Sequence, residues 1–190
     1  MNKKKFREKL QDIANKYICS EQTQAIFELY KTYSHFIKVV EEAIQGKPET
    51  FKYNCFMYAF NINHKNPNSQ IMLILKREFD KNSETEIFFT IKFIDFYLTI
   101  KCLHEISFNK IGNDDIIIYF DENSIPLHAG KIKNGRVISK WGLSGNLYEH
   151  SIWEVPIKYG TDVKYFEGIS EEDSIKYFIE YAKTQVTHIP

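Results

Sequence analysis

Phe6, Leu10, Ile13 and Tyr17 recur at spacings of three or four, and Ala25, Leu29, Tyr33, Phe36, Val40 and Ile44 repeat that spacing beyond Ser20. Such a stripe occupies one face of a 3.6-residue helix, so residues 1–46 are predicted to form two helices. Ser20 is the expected cap of the second, and Gly46-Lys47-Pro48 its expected end. The pair reads as a helical hairpin packed on the main domain. Residues 49–62, ETFKYNCFMYAFNI, change character: an irregular lead-in ends at Asn54, and a short buried helix opens at Cys55. His64 to Ser69 reads as a loop, with Ser69 capping a helix that carries Ile71, Leu73, Ile74, Leu75 and Phe79. Ser83 and Glu86 fit a capping box, which predicts a helix over about 84–98 and then an extended piece through Ile106.

From residue 112 the period shortens. Ile116 to Phe120 is a short apolar run bounded by acidic turn residues, and His128 to Ile132 is the next strand. Asn134-Gly135 is a strong hairpin signal, because both residues tolerate positive φ, and Arg136 to Lys140 returns antiparallel. Ser170 with Asp173 caps a last helix that buries Ile175, Phe178, Ile179 and Ala182. Helices, then an antiparallel meander, then one helix make an α+β layout. Residues 1–46 form the expected helical extension and residues 47–190 the main domain.

Composition narrows the function classes. The 25 basic and 25 acidic residues cancel, which argues against a coat for nucleic acid or an anionic membrane. Cys19, Cys55 and Cys102 are too few and too scattered for a disulfide framework, and no CxxC pair offers a zinc ribbon. The basic start at Lys3-Lys4-Lys5 is followed by no apolar signal core, and Ile87 to Ile100 is broken by Lys92 and Asp95. A cytoplasmic protein is the expectation, with signal-less secretion left open. No phosphate-cradling glycine loop occurs, and no cofactor is expected.

Three features could carry chemistry. Cys55 sits where a loop meets a helix N-terminus, whose free N–H groups and dipole favour a thiolate. His128 opens a strand after a turn, at the rim of a sheet. Ser139 and Lys140 lie across the Asn134-Gly135 turn, where one of them could orient the imidazole. Thiol, base and orienting group are the parts of a cysteine nucleophile. A cysteine followed by Phe, Met and Tyr also fits a buried small residue, and a histidine before Ala-Gly also fits a structural role.

The order of these segments resembles the NlpC-type and CHAP-type papain-like cysteine peptidases. In that superfamily the catalytic Cys opens a helix, a "GD" and an apolar strand follow, the catalytic His begins an "HxGI"-like strand, and a hairpin leads to a third polar residue. Here the parts are Asn54-Cys55, Gly112 to Phe120, His128-Ala129-Gly130-Lys131-Ile132 and Arg136 to Ser139, within residues 50–145. The segments NCFMYA, HAGKI and RVISKWG are also similar to those of a group of bacterial proteins of unassigned activity. The resemblance implies a papain-like core, a Cys-bearing helix on a small antiparallel meander. It implies Cys55 as nucleophile, His128 as general base and Ser139 in the third position, where the family usually has His, Asn, Asp or Glu. The hairpin is one residue shorter than the common form, so Lys140 remains an alternative. The "GD" aspartate maps to Asp115 or Asp114, with a structural role. The Cys55 N–H, Asn54 and Tyr53 are the candidate oxyanion donors. Cys before His excludes the circularly permuted branch.

Trp141 and His150 are the remaining pocket candidates, His150 also as a substitute third member or a loop histidine. Glu149, His150 and His128 lack metal-ligand spacing, so no metal is expected. Cys19 and Cys102 read as core thiols, and His104 and Glu105 as a strand end. The expected function is a thiol hydrolase or acyl transferase acting on an amide, isopeptide or ester bond. Its substrate would be a peptide, a protein or a small amide, with the N-terminal helices as a candidate surface for a protein partner. The alternative is an inactive papain-like binding or regulatory module using the same cleft.

Overall fold

The computed structural model describes residues 2–33, 37–43, 53–62, 91–142 and 145–186. Among them are α1 (Lys3–Ala14), α2 (Cys19–Tyr33), β1 (Lys38–Glu41), α3 (Cys55–Ala59), α4 (Ile91–Thr99), β2 (Glu105–Ile106) and β3 (Ile116–Phe120). Then come β4 (Pro126–Lys133), β5 (Arg136–Lys140), β6 (Leu147–His150), β7 (Asp162–Phe166) and α5 (Glu171–Val186). Two 3-10 turns, Phe108–Lys110 and Ile157–Tyr159, join them. The strands make one sheet in the order β1-β6-β5-β4-β3-β7-β2, and each described pairing is antiparallel. The α+β class therefore holds.

The central strands bury both faces of the sheet. Side chains alternate across a strand, and β3 divides accordingly. Ile116, Ile118 and Phe120 join a core with Phe56 of α3, Phe93 and Tyr97 of α4 and Phe178 of α5. Ile117 and Tyr119 join a second core with Phe6 and Leu10 of α1 and Ile26 and Leu29 of α2. The first core is dense in edge-to-face rings, such as Phe93 on Tyr97 at 4.5 Å and on Phe178 at 5.5 Å. Each such pair adds about 0.5–1.5 kcal/mol beyond the burial of its area.

Local signals placed several elements. Asn134 and Gly135 both take positive φ in the β4–β5 turn. The Ser170 Oγ accepts from Asp173 N at 3.0 Å and donates to the Asp173 carboxylate, capping α5 as expected. Asp115 accepts from Gly112 N and Gly168 N, the structural turn role expected of it.

Other expectations change. Val40 lies on β1, not on a second helix, and β1 pairs with β6 at the sheet edge. Residues 38–41 are thus a strand of the main sheet rather than helical extension: Val39 and Val40 are β-branched, and their spacing to Tyr33 and Leu29 only mimics a helix. Tyr17 leaves the helical stripe and is wholly exposed, while Arg7 takes a buried place on it. Ser20 falls inside the first turn of α2, which starts at Cys19. α4 begins among the described residues at Ile91, and a turn at 100–101 replaces part of the extended lead to Ile106. Residues 44–52 and 63–90 lie outside the described residues, and with them Gly46-Lys47-Pro48, the helix over Ile71–Phe79 and the Ser83 capping box. No helix of the described residues is long and apolar enough to cross a membrane.

Candidate active site

Asn54 caps α3. Its extended backbone places the side-chain oxygen to accept from Met57 N at 3.0 Å, a contact worth about 1 kcal/mol. Cys55 is therefore the first helical residue, as the sequence predicted. Its thiol is buried, and the N–H groups of Ala129, Phe56 and Cys55 itself point to it. Burial wins over those donors and pushes the thiol up to about 11. The expectation of a depressed thiol is thus reversed in this closed arrangement, because the helix terminus cannot replace the lost hydration of a thiolate.

His128 sits on β4 opposite Tyr119 of β3. Directly opposed residues share a face, so its ring enters the core of α1 and α2, while its neighbour Ala129 faces α3 and Cys55. The imidazole is 1% exposed, and neither ring nitrogen has a hydrogen-bond partner among the described residues. Desolvation, with His150 nearby, holds it neutral, well below the ordinary histidine range. Cys55 and His128 are not hydrogen-bonded to each other. The Tyr159 ring stacks on His128 at 3.9 Å and 6°, and a thiolate at Cys55 would oppose the ionisation of its phenol. Such a tyrosine carries no motif; Pro156 and Gly160 around Ile157–Tyr159 are its only local signal.

Ser139 does not orient His128. Its hydroxyl lies 2.7 Å from His150 Nε2, and His150 Nδ1 lies 2.8 Å from Ser151 O. A carbonyl only accepts, so Nδ1 carries the proton and Nε2 accepts from Ser139. His150 is fully buried and its pKa falls to about 4, because burial outweighs the Ser151 carbonyl. Lys140 lies on the alternate side of β5. It donates to Gly145 O and sits 4.6 Å from the Tyr53 ring centre. Burial lowers it to about 8. Tyr53 is buried between Lys140 and Tyr58, in the same core as Cys55.

Trp141 closes the other side. Its ring is 4.3 Å from Tyr148, 6.0 Å from His150 and 6.3 Å from Tyr159, and its buried indole N–H has no partner among the described residues. The arrangement is a neutral imidazole in an aromatic enclosure in the core of α1 and α2, while the Cys55 thiol lies at a helix start in the core of α3. No group of three His, Cys, Asp or Glu side chains comes together as a metal site among the described residues.

The model of a family described as a domain of unknown function, DUF7689, matches residues 44–167. The chain belongs to that family. No curated protein and no solved structure matches it. The DUF7689 match takes in Cys55, His128, Ser139, His150 and Tyr159, and leaves α1, α2, β1 and α5 outside.

Proposed function

We propose that this DUF7689 protein is a thiol hydrolase or acyl transferase of papain-like design, with Cys55 as nucleophile and His128 as base. Its substrate class is an amide, isopeptide or ester, in a peptide, a protein or a small amide, and a cytoplasmic setting suits it. The observation that carries this reading is the Cys55 thiol at the start of α3, toward which the backbone N–H groups of Ala129, Phe56 and Cys55 are turned, with His128, the residue before Ala129, buried and neither ring nitrogen partnered among the described residues. A buried polar group left without partners costs about 1–3 kcal/mol, and such costs concentrate at working sites. The sulfur attacks the carbonyl carbon, its proton passes to His128, and the backbone donors around Cys55 stabilise the oxyanion. The leaving amine or alkoxide takes the proton from the imidazolium, and water or an amine then resolves the thioester.

The second reading, a binding module, is favoured by the missing Cys55–His128 hydrogen bond. Acylation separates the two. The protein is treated with p-nitrophenyl acetate, nitrophenolate release is followed, and the acyl group is mapped by mass spectrometry. The catalytic reading expects a thioester on Cys55 that disappears in His128→Ala. Absence of acylation at Cys55, or acylation indifferent to His128, leaves the binding reading.

A further inference from the structure

α1 lies outside the DUF7689 match, yet it grips the loop that carries Tyr159. Arg7 is buried among the apolar side chains of α1. Its Nε donates to Val155 O at 3.1 Å, and one Nη donates to Pro156 O at 3.2 Å and Gly160 O at 2.6 Å. Those three carbonyls bracket the Ile157–Tyr159 turn. The guanidinium also lies 5.4 Å from the Trp153 ring. Gln11 and Asn15, further along the same helix end, accept from Lys158.

The far side of the turn is pinned as firmly. Gly160 has φ +122°, and a Cβ there would lie 2.5 Å from Phe120 O. Thr161 N donates to that same oxygen at 2.8 Å. The turn is thus held between α1 and β3, and its one inward product is the Tyr159 ring on His128. A buried guanidinium is costly to desolvate, and a helix–loop contact alone could be apolar. Its planar fork, by contrast, suits several carbonyls at fixed angles.

We infer that Arg7 is a positioning residue of the candidate site: through the Val155–Gly160 turn it sets the Tyr159 ring, and so the plane of the His128 imidazole. α1 is then a working part of the site. The activity arm of this inference rests on the thiol reading above; the spectroscopic arm does not.

The test is NMR of the full chain labelled at its histidines, comparing wild type, Arg7→Ala, Arg7→Lys and Ile26→Ala. Ile26 lies on α2 in the same core and serves as the control for lost stability. In wild type the stacked tyrosine shields the ring protons of His128. Arg7→Ala is expected to move them downfield toward an unstacked imidazole, Arg7→Lys to move them less, and Ile26→Ala to leave them in place. If Arg7→Ala does not fold, Arg7→Lys carries the comparison. An unmoved His128 signal in the folded Arg7 variants, or an equal shift in Ile26→Ala, overturns the inference. In the acylation assay Arg7→Ala is expected to slow Cys55 labelling at least tenfold more than Ile26→Ala does. A shifted His128 signal with no Cys55 acylation even in wild type would refute the thiol reading and leave the Arg7 coupling standing.

Discussion

Tyr159 lies flat against His128, with ring centres 3.9 Å apart and planes 6° from parallel. The stack holds a buried imidazole whose nitrogens have no hydrogen-bond partner among the described residues. Tyr159→Ala should therefore act twice. It opens a core cavity that costs about 3–5 kcal/mol, and it admits water to His128, whose pKa then climbs back toward the ordinary 6.5. Urea unfolding and an NMR titration of the histidine ring protons read the two effects. A stability loss with no rise in the His128 titration would mean that something other than Tyr159 keeps the ring dry.

Acid should loosen the fold through His150. Its pKa is about 4 in the folded chain against 6.5 in an exposed histidine, so the unfolded chain binds the extra proton between those values. Stability is complete above about pH 6.5 and falls as the pH drops toward 4. The His150 contribution is on the order of 3 kcal/mol, and His128, depressed in the same direction, adds to it. In His150→Gln the slope of unfolding free energy against pH should be shallower by up to about 1.4 kcal/mol per pH unit. Equal slopes in the two proteins over pH 4 to 6.5 would show that His150 titrates normally.

Gly130 lets β4 and β5 come together beside Ser139. A Cβ on it would lie 2.7 Å from Ile138 O and 3.0 Å from Ser139 Cβ. Gly130→Ala must push β5 away, at roughly 1–3 kcal/mol, and it displaces the hydroxyl that serves His150. Thermal unfolding of the variant should show the loss. A Tm equal to that of wild type would contradict this packing.

Much of this was legible because its causes are local. The helix start at Cys55, the Asn134-Gly135 turn and the Ser170–Asp173 cap each draw on residues at most three apart, and all stand where the sequence placed them. β1 is not legible locally, because Val39 and Val40 show their strand character only against Tyr148 and its neighbours, more than a hundred residues on. Ser139 meets His150 rather than His128 for a similar reason. The hairpin pattern sets its strand but not the residue facing it from β6, and Tyr148 and His150 of β6 fill that side. Arg7 occupies a place on the apolar stripe of α1, three before Leu10, and that position was the available signal of a buried cation. Tyr159 belongs to a turn whose meaning depends on α1, β3 and β4 at once.

Under the thiol reading Cys55 and His128 act as one unit. That reading is tested most directly by the rate of Cys55 alkylation with iodoacetamide across pH 6 to 11, read per cysteine in wild type and His128→Ala. A thiol near 11 acting alone is about one part in ten thousand thiolate at pH 7. Wild-type Cys55 is expected to react well above that level near neutrality, and His128→Ala to bring it down to the level of an isolated buried thiol. Identical curves for the two proteins, both rising only toward pH 11, would contradict the thiol reading.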